Sequence, residues 1–216
     1  MHHYIITRFS ILDSPAKQGF RRNNSENYLF SKERLDFKFF VFDKITYNSV
    51  ISQTYTNYKW LIYASTYLPQ VYKEKLNTYK NTNIDIIYVK DFKDMRIRRK
   101  EVLKDKNNYT TMRLDDDDGI SYNFLELLNQ YSDQTNKIVS FPNGTRYAVE
   151  NNNIILGSKI NWPKIGLGLT AVGFDIYSAG NHVKVDEKYE VIYDNTENSY
   201  FLCCSEFCDS QRKFYV

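Results

Sequence analysis

Between residues 48 and 141, β-branched and aromatic runs alternate with longer charged segments, and this alternation restricts the chain more than any other feature. Lys59–Tyr63 (KWLIY), Ile84–Val89 (IDIIYV), Tyr109–Leu114 (YTTMRL) and Ile138–Phe141 read as strands. Asn48–Thr54, Leu68–Tyr79, residues 94–105 and Ser121–Tyr131 read as the helices between them. Pro69 sits in the first turn of its helix, where its missing N–H costs nothing. Tyr4–Arg8 (YIITR) adds a strand at the start. Strands joined by helices imply a mostly parallel sheet with helices on both faces, and the ligands of such sheets gather at the carboxyl ends of the strands.

The flanking regions are less regular. Residues 13–36 read as a loop and a short helix. Phe37–Phe42 (FKFFVF) fits a strand or a buried connection, which periodicity does not separate. After residue 141 the pattern changes to hairpins. Arg146–Glu150 and Asn153–Gly157 flank the turn Asn151–Asn152, and Glu190–Tyr193 and Tyr200–Cys203 flank 194–199. No repeat or proline-rich hinge divides the 216 residues. The expectation is one α/β domain, with a nucleotide-binding half over 1–141 and a smaller half with hairpins over 142–216.

Net charge is +3, too mild for a nucleic-acid partner, which needs a concentrated basic patch. It suits an anionic small ligand. No run approaches the roughly 18 apolar residues of a spanning helix. Tyr4–Ile6 is too short for the apolar core of a leader. Three crowded cysteines, Cys203, Cys204 and Cys208, do not make a disulfide framework; they read as buried small hydrophobes, with a metal role as the minor alternative. A cytoplasmic protein with at most peripheral membrane contact is expected.

The strand Tyr109–Leu114 runs directly into Asp115-Asp116-Asp117-Asp118-Gly119. Adjacent carboxylates repel, and helix-terminus electrostatics accounts for one or two of them, not four. Hard divalent cations prefer carboxylate oxygens, and Mg²⁺ or Mn²⁺ typically takes one or two from the protein and the rest from water and phosphates. In extended backbone, Asp115 and Asp117 face one side and Asp116 and Asp118 the other. The spread and final glutamate of an EF-hand loop are missing.

Arg113-Leu114-Asp115-Asp116-Asp117-Asp118-Gly119 resembles the R-L-D-x-D-D-[AG] segment of the family named "putative rhamnosyltransferase", among the GT-A-type, DxD-containing glycosyltransferases. Thr7-Arg8-Phe9-Ser10, Ser52-Gln53-Thr54 with Asn57–Leu61, and Pro142-Asn143-Gly144 resemble three further family segments in the same order. The resemblance covers residues 4–144 and thins after 165. It implies a GT-A-like fold and transfer of a sugar from a nucleotide-diphosphate donor to a glycan or lipid-linked glycan acceptor, as in surface-polysaccharide assembly. It further implies Asp115 on the nucleotide, Asp117 on Mn²⁺ or Mg²⁺, and Asp118 orienting the sugar. A metal on both phosphates would stabilise the charge of the departing diphosphate.

Other candidates follow from position. Thr7 and Arg8 end the first strand at the ligand edge. Arg98 and Arg99, on the basic helix 94–105, are candidates for the diphosphate. Asp115 and His182 are further candidate metal ligands beside Asp117. An inverting transferase needs a base for the acceptor hydroxyl. Asp175, after the glycine-rich Gly166–Gly173, is preferred to Asp186 and Glu187. Trp60 reads as core and Trp162 as cleft lining. The competing reading is a non-catalytic metal- or carbohydrate-binding domain. Nucleotidyl transfer would need a second acidic cluster, and none is evident.

Overall fold

A computed structural model describes residues 1–12 and 25–208. β1 (His2–Phe9) is followed by α1 (Glu26–Leu29), α2 (Lys32–Val41), a π-helical turn (Phe42–Tyr47) and α3 (Asn48–Ile51). Then come β2 (Tyr58–Ser65), α4 (Gln70–Asn77), β3 (Ile84–Val89), α5 (Phe92–Leu103), β4 (Tyr109–Arg113), β5 (Gly119–Ile120) and α6 (Phe124–Asn129). The remainder is β6 (Ile138–Ser140), β7 (Asn143–Glu150), β8 (Asn153–Asn161), β9 (Thr170–Val172), β10 (Val191–Tyr193) and β11 (Tyr200–Cys203). Short 3-10 segments lie at Ile176–Ala179 and His182–Glu187.

Seven strands form one sheet in the order β10-β6-β9-β4-β1-β2-β3, parallel except for β9. The chain builds outward from β1 to β3, then returns to place β4 on the other side of β1. The gap between the ends of β1 and β4 is therefore the point where strand order reverses, the usual ligand crevice of an open α/β sheet. Alternation along β1 feeds two cores. Ile5 and Phe9 pack with Phe39, Phe42, Trp60 and Leu76 on one face. Tyr4 and Ile6 pack with Leu61, Tyr63, Met95 and Leu103, under α5, on the other.

A second sheet, β5-β11-β7-β8, stands beside the first. Asn151 and Asn152 both have left-handed φ (50° and 60°), so β7 and β8 join through the expected two-residue hairpin. The second expected hairpin does not form. β10 pairs in parallel with β6 in the large sheet, while β11 lies between β5 and β7 in the small one. Asp194 Oδ1 accepts from both the N–H and the hydroxyl of Thr196, turning the connection away. The fully buried Tyr200 anchors β11. Its ring lies against Gly144, where an added Cβ would come within 2.3 Å of it, and its hydroxyl donates to Pro142 O at 3.0 Å. The Pro-x-Gly segment is thus the seat of a ring.

Two further expectations need correction. Phe37–Phe42 is helical, spanning the end of α2 and the start of the π-helical turn. Leu35, Phe39 and Phe42 face the large sheet, while Val41, with Phe37 and Phe40, faces a cluster on the small one. Burial on two sides removes the single apolar stripe by which a helix is recognised. The helix expected over 121–131 is shorter, starting at Phe124. Its second N–H, Leu125, bonds Gln53 Oε1 at 2.9 Å, and Gln53 Nε2 donates to Ser49 O and Ser121 O. Of the expected loop and helix over 13–36, residues 13–24 lie outside the described residues.

Candidate active site

β4 ends at Arg113, and the four aspartates follow as a loop at the reversal point. A cleft of about 530 Å³ opens there, lined by Asp115 to Asp118, Arg8, Arg34, Lys38, Arg113, Trp162 and His182, among others. Arg8, from the end of β1, donates to Asp115 Oδ1 at 2.9 Å, tying the two strand ends together. Burial acts to raise the Asp115 carboxyl, but the Arg8 guanidinium, with Lys38 and Arg113, outweighs it and holds the group below the usual carboxylate range. This side chain is 42% exposed, so the pair is open to the cleft.

The next two aspartates are inward. Lys38 of α2 reaches Asp116 Oδ1 at 2.9 Å and Asp117 Oδ2 at 2.7 Å, with all three side chains at most 8% exposed. Burial works against the ammonium, but the two flanking carboxylates prevail and keep it protonated well past the ordinary lysine range. Arg34, one helical turn earlier on α2, donates to Ser10 Oγ and Leu29 O. The Tyr147 hydroxyl donates to Asp117 O, fixing the loop against the small sheet. Asp118 Oδ1 accepts from the Cys203 N–H at 2.9 Å. Burial, then the neighbouring Asp117 and Asp115, push its carboxyl well upward.

A raised carboxyl opposes folding once pH climbs above the unfolded carboxylate pKa of about 3.9. Asp118→Asn keeps an acceptor for Cys203 and removes that titration. It is expected to stabilise the fold at neutral pH by roughly 1–3 kcal/mol, the scale of a poorly compensated buried polar group. The gain should vanish in melts run below pH ~3.9; equal gains at both pH values would refute the assignment.

Several expected site residues are elsewhere. Thr7 is fully buried, and its Oγ1 accepts from Trp60 Nε1 at 2.9 Å, so both belong to the core. Arg98 points to solvent and bridges Asp94 and Glu101 on its own helix. Arg99 is buried, and its Nε–H is shared by both oxygens of Asp175 at 2.8 Å. Asp175 also caps the 3-10 segment at Tyr177 and does not line the cleft. It is held by an arginine and a cap away from the cleft, out of reach of an acceptor there. Asp186 pairs with Lys164, and Glu187 with Lys184. His182 and Trp162 do line the cleft, their rings 6.3 Å apart.

The expected metal ligands are not assembled. Among the described residues, one group of His, Cys, Asp and Glu brings three ligating atoms within 4.8 Å of one another. It is Asp117, Cys203 and Cys208, without Asp115 or His182. Asp115 is held by Arg8, and His182 Nδ1 bonds Lys164 O at 2.7 Å. Asp115, Asp117 and His182 all line the cleft but do not form a three-ligand group among the described residues.

Lys38 and Arg34 were missed. Their i, i+4 spacing within an aromatic run was the available signal, but it becomes meaningful only once 32–41 is known to be helical. Arg113 also takes a part not foreseen. Its guanidinium donates to Gly180 O at 2.8 Å and lies 4.5 Å from the Tyr177 ring centre, which Arg8 and Arg99 also approach.

The mostly parallel seven-stranded sheet is that of the GT-A class of glycosyltransferase fold, as the likeness to solved structures shows. S. aureus TarS 1-349 matches with a TM-score of 0.55 at 10% identity, over 94% of this chain and 60% of that one. TarS 1-349 in complex with UDP-GlcNAc matches with a TM-score of 0.56 at 11% identity, over 100% and 62%. The chain thus spans about 60% of the length of these TarS chains, and identity this low speaks for the fold alone. A search of curated proteins finds no match. The sequence signature described as "Putative rhamnosyl transferase" covers residues 2–215, so the chain belongs to that family. Among the described residues, no helix is long and apolar enough to cross a membrane.

Proposed function

We propose that the protein transfers a sugar from a nucleotide-diphosphate donor to a hydroxyl of a glycan acceptor. The observation that carries this reading is the Arg8–Asp115 pair at the reversal point of the sheet, open to a cleft that Arg34, Lys38 and Arg113 also line. Nucleotide and sugar need a cleft of several hundred Å³ with a few placed polar groups. A departing diphosphate needs fixed positive charge where its own charge develops. Arg8 is partly exposed at the cleft, and Arg113, bonded to the carbonyls of Ile176 and Gly180, adds its charge beside it. Asp115, held ionised, is placed to accept from a ribose or sugar hydroxyl.

The acceptor side is assigned to the wall containing Trp162 and His182. Because His182 Nδ1 faces a carbonyl oxygen, it carries the ring proton and Nε2 carries the lone pair. Nε2, rather than Asp175, is the group proposed to take the acceptor proton. The Mn²⁺ or Mg²⁺ expected from the sequence would draw on the cleft-lining Asp115 or Asp117 together with water and the diphosphate, and no step is routed through it. A role in surface-polysaccharide assembly, on a glycan or lipid-linked acceptor at the membrane's inner face, is the setting that fits a chain of this family.

A nucleotide-sugar hydrolysis screen tests the reading without an acceptor. It would include UDP-GlcNAc, present in a TarS complex, and nucleotide-activated rhamnose, suggested by the family description. One donor hydrolysed, and spared by Arg8→Ala, supports transfer. Binding of free sugars with no hydrolysis of any donor favours the carbohydrate-binding alternative.

A further inference from the structure

We propose that Asp117, Cys203 and Cys208 form a site for a thiophilic divalent cation, zinc foremost, in the floor of the cleft. The three residues come from the aspartate loop, the end of β11 and the turn after it. All are buried, all line the cleft, and their ligating atoms lie within 4.8 Å of one another. Two thiolates and a carboxylate select zinc-like ions over magnesium or manganese. Three protein ligands with a fourth position filled from a cleft are the pattern of open zinc sites. Water or a phosphate oxygen would take that position.

A second observation also points to a ligand. Asp116 is 4% exposed, and its Oδ2 has no hydrogen-bond partner although it is buried beside the group. At present Lys38 is shared between Asp116 and Asp117. If Asp117 turned to a cation, Lys38 would keep Asp116 and could satisfy that second oxygen. The two sulfurs lie 2.9 Å apart. They would have to open to about 3.8 Å around a tetrahedral ion with metal–sulfur bonds near 2.3 Å. Cys208 is carried by a turn rather than a strand, so the adjustment falls on it. Cys204 is not part of the group; its Sγ lies against Leu202 O. Binding releases two thiol protons to solvent as the metal enters.

Cobalt(II) titration of the reduced, metal-stripped protein, without nucleotide, tests the site independently of the proposed transfer reaction. The expected result is a sulfur-to-cobalt charge-transfer band that saturates at one ion per chain and is displaced by zinc. Cys203→Ser and Cys208→Ser should each remove most of the band, and Cys204→Ser should leave it. Asp117→Asn should weaken binding by at least the 10–100-fold that losing even an outer-shell partner costs. In the unaltered protein, zinc should protect Cys203 and Cys208 from maleimide labelling, which covers the case of a variant that fails to fold. The proposal is overturned by no charge-transfer band, by a band that survives both serine variants or is lost with Cys204→Ser, or by labelling that zinc does not slow.

Discussion

Lys38→Met is expected to destabilise the protein by about 3–5 kcal/mol, the usual consequence of leaving a buried charge without its partner. At about 2–4 °C per kcal/mol for a domain of this size, the melting temperature should fall by about 6–20 °C. Methionine keeps the length and packing of the side chain, so the loss reports charge. Lys38 serves Asp116 and Asp117 together, and no other cation is bonded to either among the described contacts. The pH dependence carries a sign. Lys38 binds its proton more tightly in the folded protein than in the unfolded chain. Its contribution is therefore complete below the free lysine pKa of about 10.4 and is lost only as pH rises past it. In the variant, the stranded carboxylates favour their protonated forms, so the gap from wild type should narrow as pH falls through the carboxylate range. A loss below 1 kcal/mol, or a gap that widens in acid, would contradict this account of the loop.

Arg8→Ala should separate function from stability. Its ion pair with Asp115 is partly exposed on both sides, and such pairs contribute about 0–1 kcal/mol to folding. A charged hydrogen bond to a bound diphosphate contributes about 1.5–3 kcal/mol. Nucleoside-diphosphate affinity should therefore fall by about 10–150-fold while the melting temperature changes little. Arg98→Ala, at a solvent-facing residue, is the control that should change neither. Calorimetry with UDP, GDP and dTDP reads the effect. Equal affinities for wild type and Arg8→Ala would remove Arg8 from the donor site.

The strands and helices between 48 and 141 were legible because each buries one or both faces in a regular period. Two-residue asparagine turns were legible for the same local reason, as at Asn151–Asn152. α2 was not, since its apolar residues serve two cores at once and leave no stripe. The fate of 190–203 depended on sheet partners distant in sequence, which local pattern does not encode. At the site, the aspartates and Arg8 are legible because each follows or ends a predicted strand, and the structure puts those two strand ends side by side at the reversal point. Thr7, Arg99 and Asp175 were misplaced by the same reasoning. A strand end or a basic helix says which edge a residue is near, not whether Trp60 or a buried partner has already claimed it. The cysteines were set aside because their spacing fits no local metal motif. Their proximity to Asp117 exists only in three dimensions.

The most direct test of the central claim is a crystal structure with a nucleoside diphosphate or nucleotide sugar bound. The account predicts the diphosphate between the ends of β1 and β4, with an oxygen within hydrogen-bonding distance of the Arg8 guanidinium and the sugar directed toward Trp162 and His182. Density for the ligand at another surface, with the Arg8–Asp115 pair untouched, would contradict it.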